Sequence, residues 1–199
     1  PSTDHGINYT VSIKADGVRK LLVIDTTGIY LVSTPADINK IFEPNVVPRI
    51  ETWIGTVIEG ELIPKESLTE NASPEILGAE IYFLMYDCLS LSGDFRIRQR
   101  PHKDRLSRLK PLVTIFSQLK KFRLELKTFE PFQTIPEFYT AVNKTLDQPW
   151  PFKNDGLIFT PNNYQYDTEL FKTPLDARGL KKYPDLLKWK PERMWTIDF

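Results

Sequence analysis

The sequence predicts an α+β fold in which mostly antiparallel sheets carry a few inserted helices. Segments in which apolar and polar residues alternate recur along the chain, beginning with Tyr9, Val11 and Ile13, and this period of two is typical of half-buried strands. Residues 80–91 form one nearly continuous apolar run, which indicates a strand in a central position. Helix-start signals are few, so strands dominate the predicted fold.

The first half of the chain is predicted to be mostly strand. Asp16-Gly17 is a turn dipeptide after the first strand. Alternating or apolar segments then predict further strands at residues 18–24, 28–32, 53–63 and 80–91. Thr34-Pro35-Ala36-Asp37 combines a cap, a proline and an acid, which predicts a short helix to about Phe42. The polar, proline-containing residues 64–78 predict a surface loop.

The second half of the chain contains the longer predicted helices. Residues 102–121 are predicted to be helical, with Pro111 breaking or restarting the helix. Thr134-Ile135-Pro136-Glu137 is a capping-box pattern that opens a helix through Leu146. The remaining predicted strands are residues 122–128, 156–160 and 185–190.

The composition describes a globular domain without a dominant charge. The 199 residues include 26 Lys and Arg against 26 Asp and Glu, so no global charge points to nucleic acid or a membrane. Cys88 is the single cysteine, which excludes an internal disulfide, favours a reducing compartment and predicts a buried core thiol. The sequence shows neither an apolar stretch of roughly 18 residues nor a signal-peptide pattern. We expect an intracellular protein.

The segment Lys14-Ala15-Asp16-Gly17-Val18-Arg19 lies at a predicted strand end, from which Lys14 can point into a cleft. A lysine becomes a nucleophile after losing its proton, which nearby cations, a metal ion or partial burial promote. Asp16 can orient the amine, Gly17 allows a ligand to approach the backbone closely, and Arg19 can bind ribose hydroxyls or phosphate. Taken alone, this short pattern is weak and more often marks a plain hairpin turn.

Two acidic segments can accompany the lysine. Glu59 and Glu61 are two residues apart on a strand, so they share a face and can bind a cation or sugar hydroxyls; otherwise they form a solvated face. Tyr86 and Asp87 lie within the long apolar run. Tyr86 can stack on a base, or it belongs to the core while Asp87 pairs with a neighbouring cation.

Two further segments lie near the C-terminal end. Asp155 precedes a buried strand, a suitable place for a divalent metal ligand, although a simple turn also explains it. Lys188 and Lys190 alternate with Leu187 and Trp189, so the cations share one face while the apolar side chains are expected to face the core. A phosphate would relieve the repulsion between the two lysines, which could also be an exposed strand face.

Between residues 96 and 110 lies a run of cations: Arg96, Arg98, Arg100, Lys103, Arg105, Arg108 and Lys110. This run can guide RNA or a triphosphate by charge. The alternative is a solvated helix face that makes salt bridges with the acidic residues of the segment 61–80. Charge runs are more often solvated, so the second interpretation is favoured.

The order of these segments is more specific than any one of them. The chain contains K-A-D-G-V-R, E-G-E, M-Y-D, D-G-L-I-F and L-L-K-W-K-P in that order, and it ends on T-I-D-F. This set, from Lys14 to Phe199, resembles the covalent nucleotidyltransferase superfamily of mRNA capping guanylyltransferases and ATP- or NAD-dependent polynucleotide ligases. K-W-K-P followed by T-I-D-F resembles the capping branch, and the style of the sequence resembles a capping enzyme of a large DNA virus.

The resemblance implies a reaction and a role for each candidate residue. Lys14 would attack the α-phosphate of GTP and form lysyl-GMP, from which GMP passes to the diphosphate 5′ end of an RNA. Lys188 and Lys190 would hold the α-phosphate during catalysis. The implied nucleotide-binding residues are Asp16, Gly17, Arg19, Glu59, Glu61 and Tyr86. Asp155 and Glu61 would hold Mg²⁺ or Mn²⁺.

The resemblance also implies what the chain is part of. We expect residues 1–199 to be one nucleotidyltransferase domain of the capping enzyme and ligase type, excised from a longer chain and without the C-terminal OB-fold domain of the family. Flanking OB-fold, RNA triphosphatase or methyltransferase domains are the expected partners, with no membrane. The location would be the cytoplasm for a cytoplasmic DNA virus and otherwise the nucleus. Where the family usually has Asp, this chain has Glu59, one methylene longer.

Two other functions fit the same residues. One is the adenylation domain of an ATP-dependent DNA or RNA ligase, and the other is a non-catalytic nucleotide- or RNA-binding module of the same fold. The presence of Lys14, Asp155, Lys188 and Lys190 argues against a decayed site. The nucleotide that remains attached to Lys14 distinguishes the two enzymes.

Overall fold

Two β-sheets form the framework of the domain. The computed structural model describes residues 8–33, 37–162, 166 and 186–191. The strands of the described residues are β1 (Tyr9–Ala15), β2 (Val18–Asp25), β3 (Gly28–Ser33), β4 (Asp37–Phe42), β5 (Thr56–Ile63), β6 (Ile81–Ser90), β7 (Phe122–Leu126), β8 (Glu130–Phe132), β9 (Asn154–Pro161) and β10 (Leu187–Trp189). One sheet has the order β10-β9-β1-β8, and the other has the order β4-β3-β2-β5-β6-β7.

Antiparallel pairing prevails, as the sequence predicts. All the pairs of the four-stranded sheet are antiparallel. In the six-stranded sheet only β6 and β7 run parallel, because the chain between them crosses over through helices, as a parallel connection requires. The predicted α+β class is confirmed.

The helices are short and begin at recognisable caps. Their bounds are α1 (Pro74–Gly78), α2 (His102–Ser107), α3 (Lys110–Phe116) and α4 (Ile135–Asp147), with 3₁₀ turns at Ile50–Trp53, Lys65–Ser67 and Phe95–Gln99. The Thr134 side chain accepts the Glu137 N–H at the start of α4, as the capping box predicts. Pro111 lies in the first turn of α3, so it restarts the helical segment. None of the helices in the described part of the chain is long and apolar enough to cross a membrane.

Two hydrophobic clusters hold the sheets in place. One packs the six-stranded sheet against α3 and includes Leu22, Phe83, Met85, Leu112 and Phe116. The other lies between the sheets and α4, and it includes Ile13, Leu84, Phe132, Phe152 and Leu157. Since side chains alternate along β1, Val11 and Ile13 enter this second cluster, while Ser12 and Lys14 project to the other face.

Several predicted elements of the first half differ from the structure. Asp37–Phe42 is the edge strand β4, paired with β3, rather than a helix, because pairing across the sheet outweighs a local capping signal. Thr34 to Ala36 lie outside the described residues. The predicted loop at 64–78 contains a 3₁₀ turn and α1, and the strand predicted from Trp53 begins only at Thr56.

A buried ion pair joins β6 to α2. The Arg105 Nε and Nη2 atoms donate to the two carboxylate oxygens of Asp87 at 2.7 Å, and the Arg105 side chain is fully buried. Arg105 Nη1 also donates to the Arg100 carbonyl at 2.6 Å. The alternative in which Asp87 pairs with a cation is therefore confirmed.

The basic run consequently matches neither prediction along its whole length. Its member Arg105 is internal, and Arg96 pairs with the adjacent Asp94 rather than with the acids of residues 61–80. Cys88 is buried, as predicted.

We expect Arg105→Met to lower the free energy of unfolding by about 3–5 kcal/mol, because it leaves the Asp87 carboxylate buried without its cation. The matched control Arg96→Met removes an exposed pair and should change stability by less than about 0.5 kcal/mol. Urea denaturation of the two variants and the wild type measures the difference. Equal, small effects would show that the buried pair contributes nothing specific.

Candidate active site

One carboxylate joins two of the predicted catalytic lysines. Lys14 Nζ donates to Asp155 Oδ1 at 2.6 Å, and Lys190 Nζ lies 2.9 Å from Asp155 Oδ2. Partial burial acts to raise the pKa of the Asp155 carboxyl, but the hydrogen bonds from both lysines hold it below its usual range. Asp155 therefore stays ionised at neutral pH and places the two amines side by side.

The close approach of β10 to β9 depends on Gly156. Its φ of +144° lies in the region that favours glycine, and an added Cβ would lie 2.0 Å from the Trp189 carbonyl oxygen. β10 pairs with β9 so that Lys188 is opposite Ile158, which is itself opposite Ser12 of β1. Paired residues share a face, so Lys188 lies on the same face as Lys14.

The predicted burial of the apolar residues of β10 is wrong. Leu187 and Trp189 are exposed by 54% and 46%, and they line an apolar cavity of about 660 Å³ together with Phe132, Phe138 and Phe159. Alternation does place them on the face opposite Lys188. That face lies beside α4 instead of in the core.

The strand β5 of the six-stranded sheet supplies the two predicted glutamates. Arg19 Nε donates to Glu59 Oε1, and Glu59 is only 5% exposed. Burial raises the pKa of Glu59 although Arg19 opposes the shift. Burial also raises the pKa of Glu61, against the charges of Lys127, Lys14 and Lys188. Both carboxylates therefore lie near Arg19, and Glu61 lies near the lysines of the opposite sheet.

The absence of a side chain at Gly17 serves close packing within the protein, whereas the sequence predicted close approach of a ligand. A Cβ at this position would lie 2.6 Å from Glu61 Cγ and 2.7 Å from the Leu62 carbonyl oxygen. The absence of a side chain thus lets the chain pass closely beside β5, which places Glu61 next to the turn after Lys14.

Tyr86 lies in the same cleft, beside a cation that the sequence did not indicate. Burial and the neighbouring Glu59 raise the pKa of the Tyr86 hydroxyl. The Lys127 Nζ atom is 5.7 Å from the centre of the Tyr86 ring and 6.0 Å from that of Phe129. The alternation of residues 122–128 assigns Lys127 to the polar face of a strand, but only the assembled fold shows that this face closes the cleft.

Lys127 is a buried cation with an altered pKa. It is 7% exposed, and burial together with Lys14 and Lys188 lowers its pKa to about 8, although Glu61 acts in the opposite direction. Its interaction with Glu61 is electrostatic. A buried ammonium is a donor without acceptor capacity, so Lys127 is suited to meet an acceptor atom of a ligand.

The structure does not group every predicted site residue. Asp16 is exposed, its N–H donates to the Lys153 carbonyl at 2.8 Å, and it borders a second cavity of about 520 Å³ with Asn71 and Trp150. Asp185 and the residues 196–199 lie outside the described part of the chain. The grouped residues are Lys14, Arg19, Glu59, Glu61, Tyr86, Lys127, Asp155, Lys188 and Lys190.

The two-sheet fold is that of ATP-dependent DNA ligases. The ATP-dependent DNA ligase of bacteriophage T7, solved with ATP, has a TM-score of 0.63 and 14% identity to this chain, and the match covers 95% of this chain and 63% of the ligase. A ligase domain from M. tuberculosis has a TM-score of 0.52 and 19% identity, over 80% of this chain and 50% of that domain. This chain therefore shares the fold of these ligases.

The sequence comparison identifies the family within this class. Residues 5–192 match the family described as mRNA capping enzyme, catalytic domain, and the chain belongs to it. It is 33% identical to the alpha subunit of the Saccharomyces cerevisiae mRNA-capping enzyme, over 96% of this chain and 42% of that protein. It is 25% identical to the mRNA-capping enzyme of African swine fever virus, over 97% of this chain and 18% of that protein. The chain therefore spans less than half the length of these relatives.

We expect Lys127→Met to raise the free energy of unfolding at pH 7 by on the order of 1–2 kcal/mol, because burial and the charges of Lys14 and Lys188 disfavour the ammonium in the folded domain. The pKa of Lys127 is lowered from 10.5 to about 8, so between these values the unfolded chain binds more protons and the wild type gains stability as pH rises. The advantage of the variant should therefore shrink between pH 8 and pH 10.5. Denaturation across this range measures it.

The exposed Lys120 provides the control. Lys120→Met should change neither the stability nor its dependence on pH. A constant difference between Lys127→Met and the wild type over the whole range would contradict the lowered pKa.

Proposed function

We propose that this domain is an mRNA guanylyltransferase that works through a covalent lysyl-GMP intermediate. The observation that carries the proposal is the Lys14–Asp155–Lys190 arrangement in a chain of the capping enzyme family. The proposed substrates are GTP and RNA with a 5′ diphosphate. OB-fold, RNA triphosphatase or methyltransferase domains of a larger enzyme are the proposed partners, and the cytoplasm or the nucleus is the proposed place of action.

The reaction has two transfers. The deprotonated Lys14 Nζ attacks the α-phosphorus of GTP, a nitrogen–phosphorus bond forms, and the bond to the bridging oxygen breaks so that pyrophosphate leaves. A terminal oxygen of the RNA diphosphate then attacks the same phosphorus, which releases the lysine and completes the cap. Because Asp155 keeps a low pKa, its role is to orient the Lys14 amine rather than to take up its proton permanently.

Lys188 and Lys190 supply positive charge where the α-phosphate must lie. Lys190 shares the Asp155 carboxylate with Lys14. The charge of Lys188 interacts with both Glu61 and Lys127. Charge that develops on the phosphate oxygens in the transition state is stabilised by such fixed cations. Arg19, held by Glu59, is the proposed ribose contact with Glu61, and Tyr86 is the proposed stacking surface for the base.

The residues fit a divalent metal that is shared with the nucleotide. The described residues contain no group of three or more His, Cys, Asp or Glu arranged to hold a metal by themselves. Magnesium is commonly held by one or two carboxylates together with substrate phosphates, and Asp155 with Glu61 would provide them. Mg²⁺ or Mn²⁺ would neutralise negative charge on the phosphates.

Lys127 supports guanine over adenine as the base. The Lys127 ammonium lies 5.7 Å from the centre of the Tyr86 ring. If the base stacks on Tyr86, this ammonium can meet the polar edge of the base. Guanine presents the O6 and N7 acceptors there, whereas adenine shares N7 but has a donor amino group in place of O6. A cation that can only donate hydrogen bonds therefore favours GTP, which distinguishes the proposed enzyme from an ATP-dependent ligase.

The proposal is tested by the mass of the intact protein after incubation with GTP and Mg²⁺ or Mn²⁺. We expect the mass of one GMP to be added to the wild type and none to Lys14→Ala, because the variant lacks the nucleophile. Lys120→Ala, which removes an exposed lysine, should be labelled like the wild type. Labelling of Lys14→Ala would overturn the nucleophile, labelling by ATP alone would indicate a ligase, and labelling by neither would indicate a binding module.

We expect Lys127→Met to lose most of the preference for GTP. Removing one charged hydrogen bond to the base should reduce kcat/KM for GTP by about 10-fold to 100-fold while the rate with ATP stays unchanged or rises. Labelling rates with both nucleotides over a range of concentrations measure the ratio. An unchanged ratio would exclude Lys127 as a base contact.

A further inference from the structure

Tyr86 occupies an irregular position in its sheet. Glu59 is paired with Asp87 and Gly60 with Met85, so the register shifts and Tyr86 has no opposite residue in β5. On the other side, β7 pairs with β6 only as far as Met85. Among the described strands, Tyr86 therefore stands in a bulge at the place where pairing ends, a device that often aims a side chain at a functional site.

At this position a side chain, and not a described strand, binds the backbone carbonyl of Tyr86. The His102 Nε2 atom lies 2.7 Å from the Tyr86 carbonyl oxygen. A carbonyl can only accept, so His102 must carry its proton on Nε2 and donate it. The imidazole is 5% exposed, and its ring packs edge-on against Phe129 at a centroid distance of 4.7 Å.

The histidine is itself held on a rigid support. It is the first residue of α2, and three residues later Arg105 binds Asp87, the residue that follows Tyr86, through two hydrogen bonds. Burial lowers the pKa of His102, so the ring is neutral at physiological pH and has one N–H to give. Side chains of α2 thus hold two neighbouring residues of β6, Tyr86 and Asp87, in place.

We infer that His102 is a positioning residue for Tyr86 and, through the aim of the Tyr86 ring, a determinant of nucleotide affinity. The inference rests on the proposed function, in which the base stacks on Tyr86. The Phe129 ring links His102 to the candidate site. It packs against the His102 ring and lies near the Lys127 ammonium that faces Tyr86. The contacts of His102 are with the Tyr86 carbonyl and the Phe129 ring, not with Lys14 or Asp155, so its effect should appear in binding and not in the chemical step.

The test compares GTP affinity across a set of His102 variants. His102→Met keeps the volume but removes the donor, and it should raise KM for GTP by about 5-fold to 10-fold, the value of one hydrogen bond, with kcat within about twofold. His102→Gln restores an N–H donor at the end of its side chain and should recover most of the affinity. Calorimetric titration of GTP in a Lys14→Ala background gives the same comparison without catalysis.

A double-mutant cycle separates positioning from general damage. In a Tyr86→Ala background, His102→Met should have almost no further effect on GTP affinity, because the surface that it positions is absent. Val113→Ala, which loosens α3 at its contact with the core, should lower stability without changing KM. Should His102→Met fail to fold, His102→Asn replaces it, since its shorter amide ends short of the Tyr86 carbonyl.

Three outcomes would overturn the inference: an unchanged KM in His102→Met, an effect that persists in full without Tyr86, or a failure of His102→Gln to recover affinity. If the wild type binds GTP but forms no lysyl-GMP, the proposed reaction fails while the titration still decides the role of His102. If the wild type binds no GTP, both fail together.

Discussion

The geometry of the cleft depends on the shared carboxylate of Asp155. Three lysines project from β1 and from the end of β10, and like charges at such short range repel. Asp155 offers one oxygen to Lys14 and the other to Lys190, which makes their proximity stable. Gly156 allows the backbone of β10 to come close enough for this arrangement. A single acid and the glycine after it therefore set the position of Lys14, the proposed nucleophile, relative to the proposed phosphate-binding residues Lys188 and Lys190.

On the opposite wall of the cleft, each buried charged side chain lies near a side chain of opposite charge. Glu59 is buried but holds Arg19, Glu61 faces Lys127 and Lys14, and Asp87 is paired with Arg105 behind the strand. Glu59 thus supports Arg19. Desolvated charges cost stability, and here they line the cleft of the candidate site.

The sequence was a good guide wherever the signal was local. Alternating or apolar segments located β1, β2, β5 and β9, and the capping box located α4. It failed for Asp37–Phe42, where a helix-start signal competes with antiparallel pairing to the preceding strand β3. Of the site, the ordered segments indicated every residue of the cleft except Lys127 and the support from His102. Neither has a sequence signal, because Lys127 directly follows an ordinary amphipathic strand and His102 lies within the basic run of residues 96–110. Only the fold brings them to Tyr86.

The charges of the cleft explain why it should bind an anion. Among the described residues, its cations are Lys14, Arg19, Lys127, Lys188 and Lys190, whereas its acids are Glu59, Glu61 and Asp155. The cations exceed the acids by two, and the raised pKa values of both glutamates show that burial already disfavours part of the negative charge. A net positive, partly desolvated cleft attracts phosphates over a distance and holds them more strongly than an exposed patch would. Burial, together with the charges of Lys14 and Lys188, lowers the pKa of Lys127. In the proposed function, a bound triphosphate would offset those charges and favour the ammonium form of Lys127. On that proposal, phosphate binding and base recognition are coupled through one lysine.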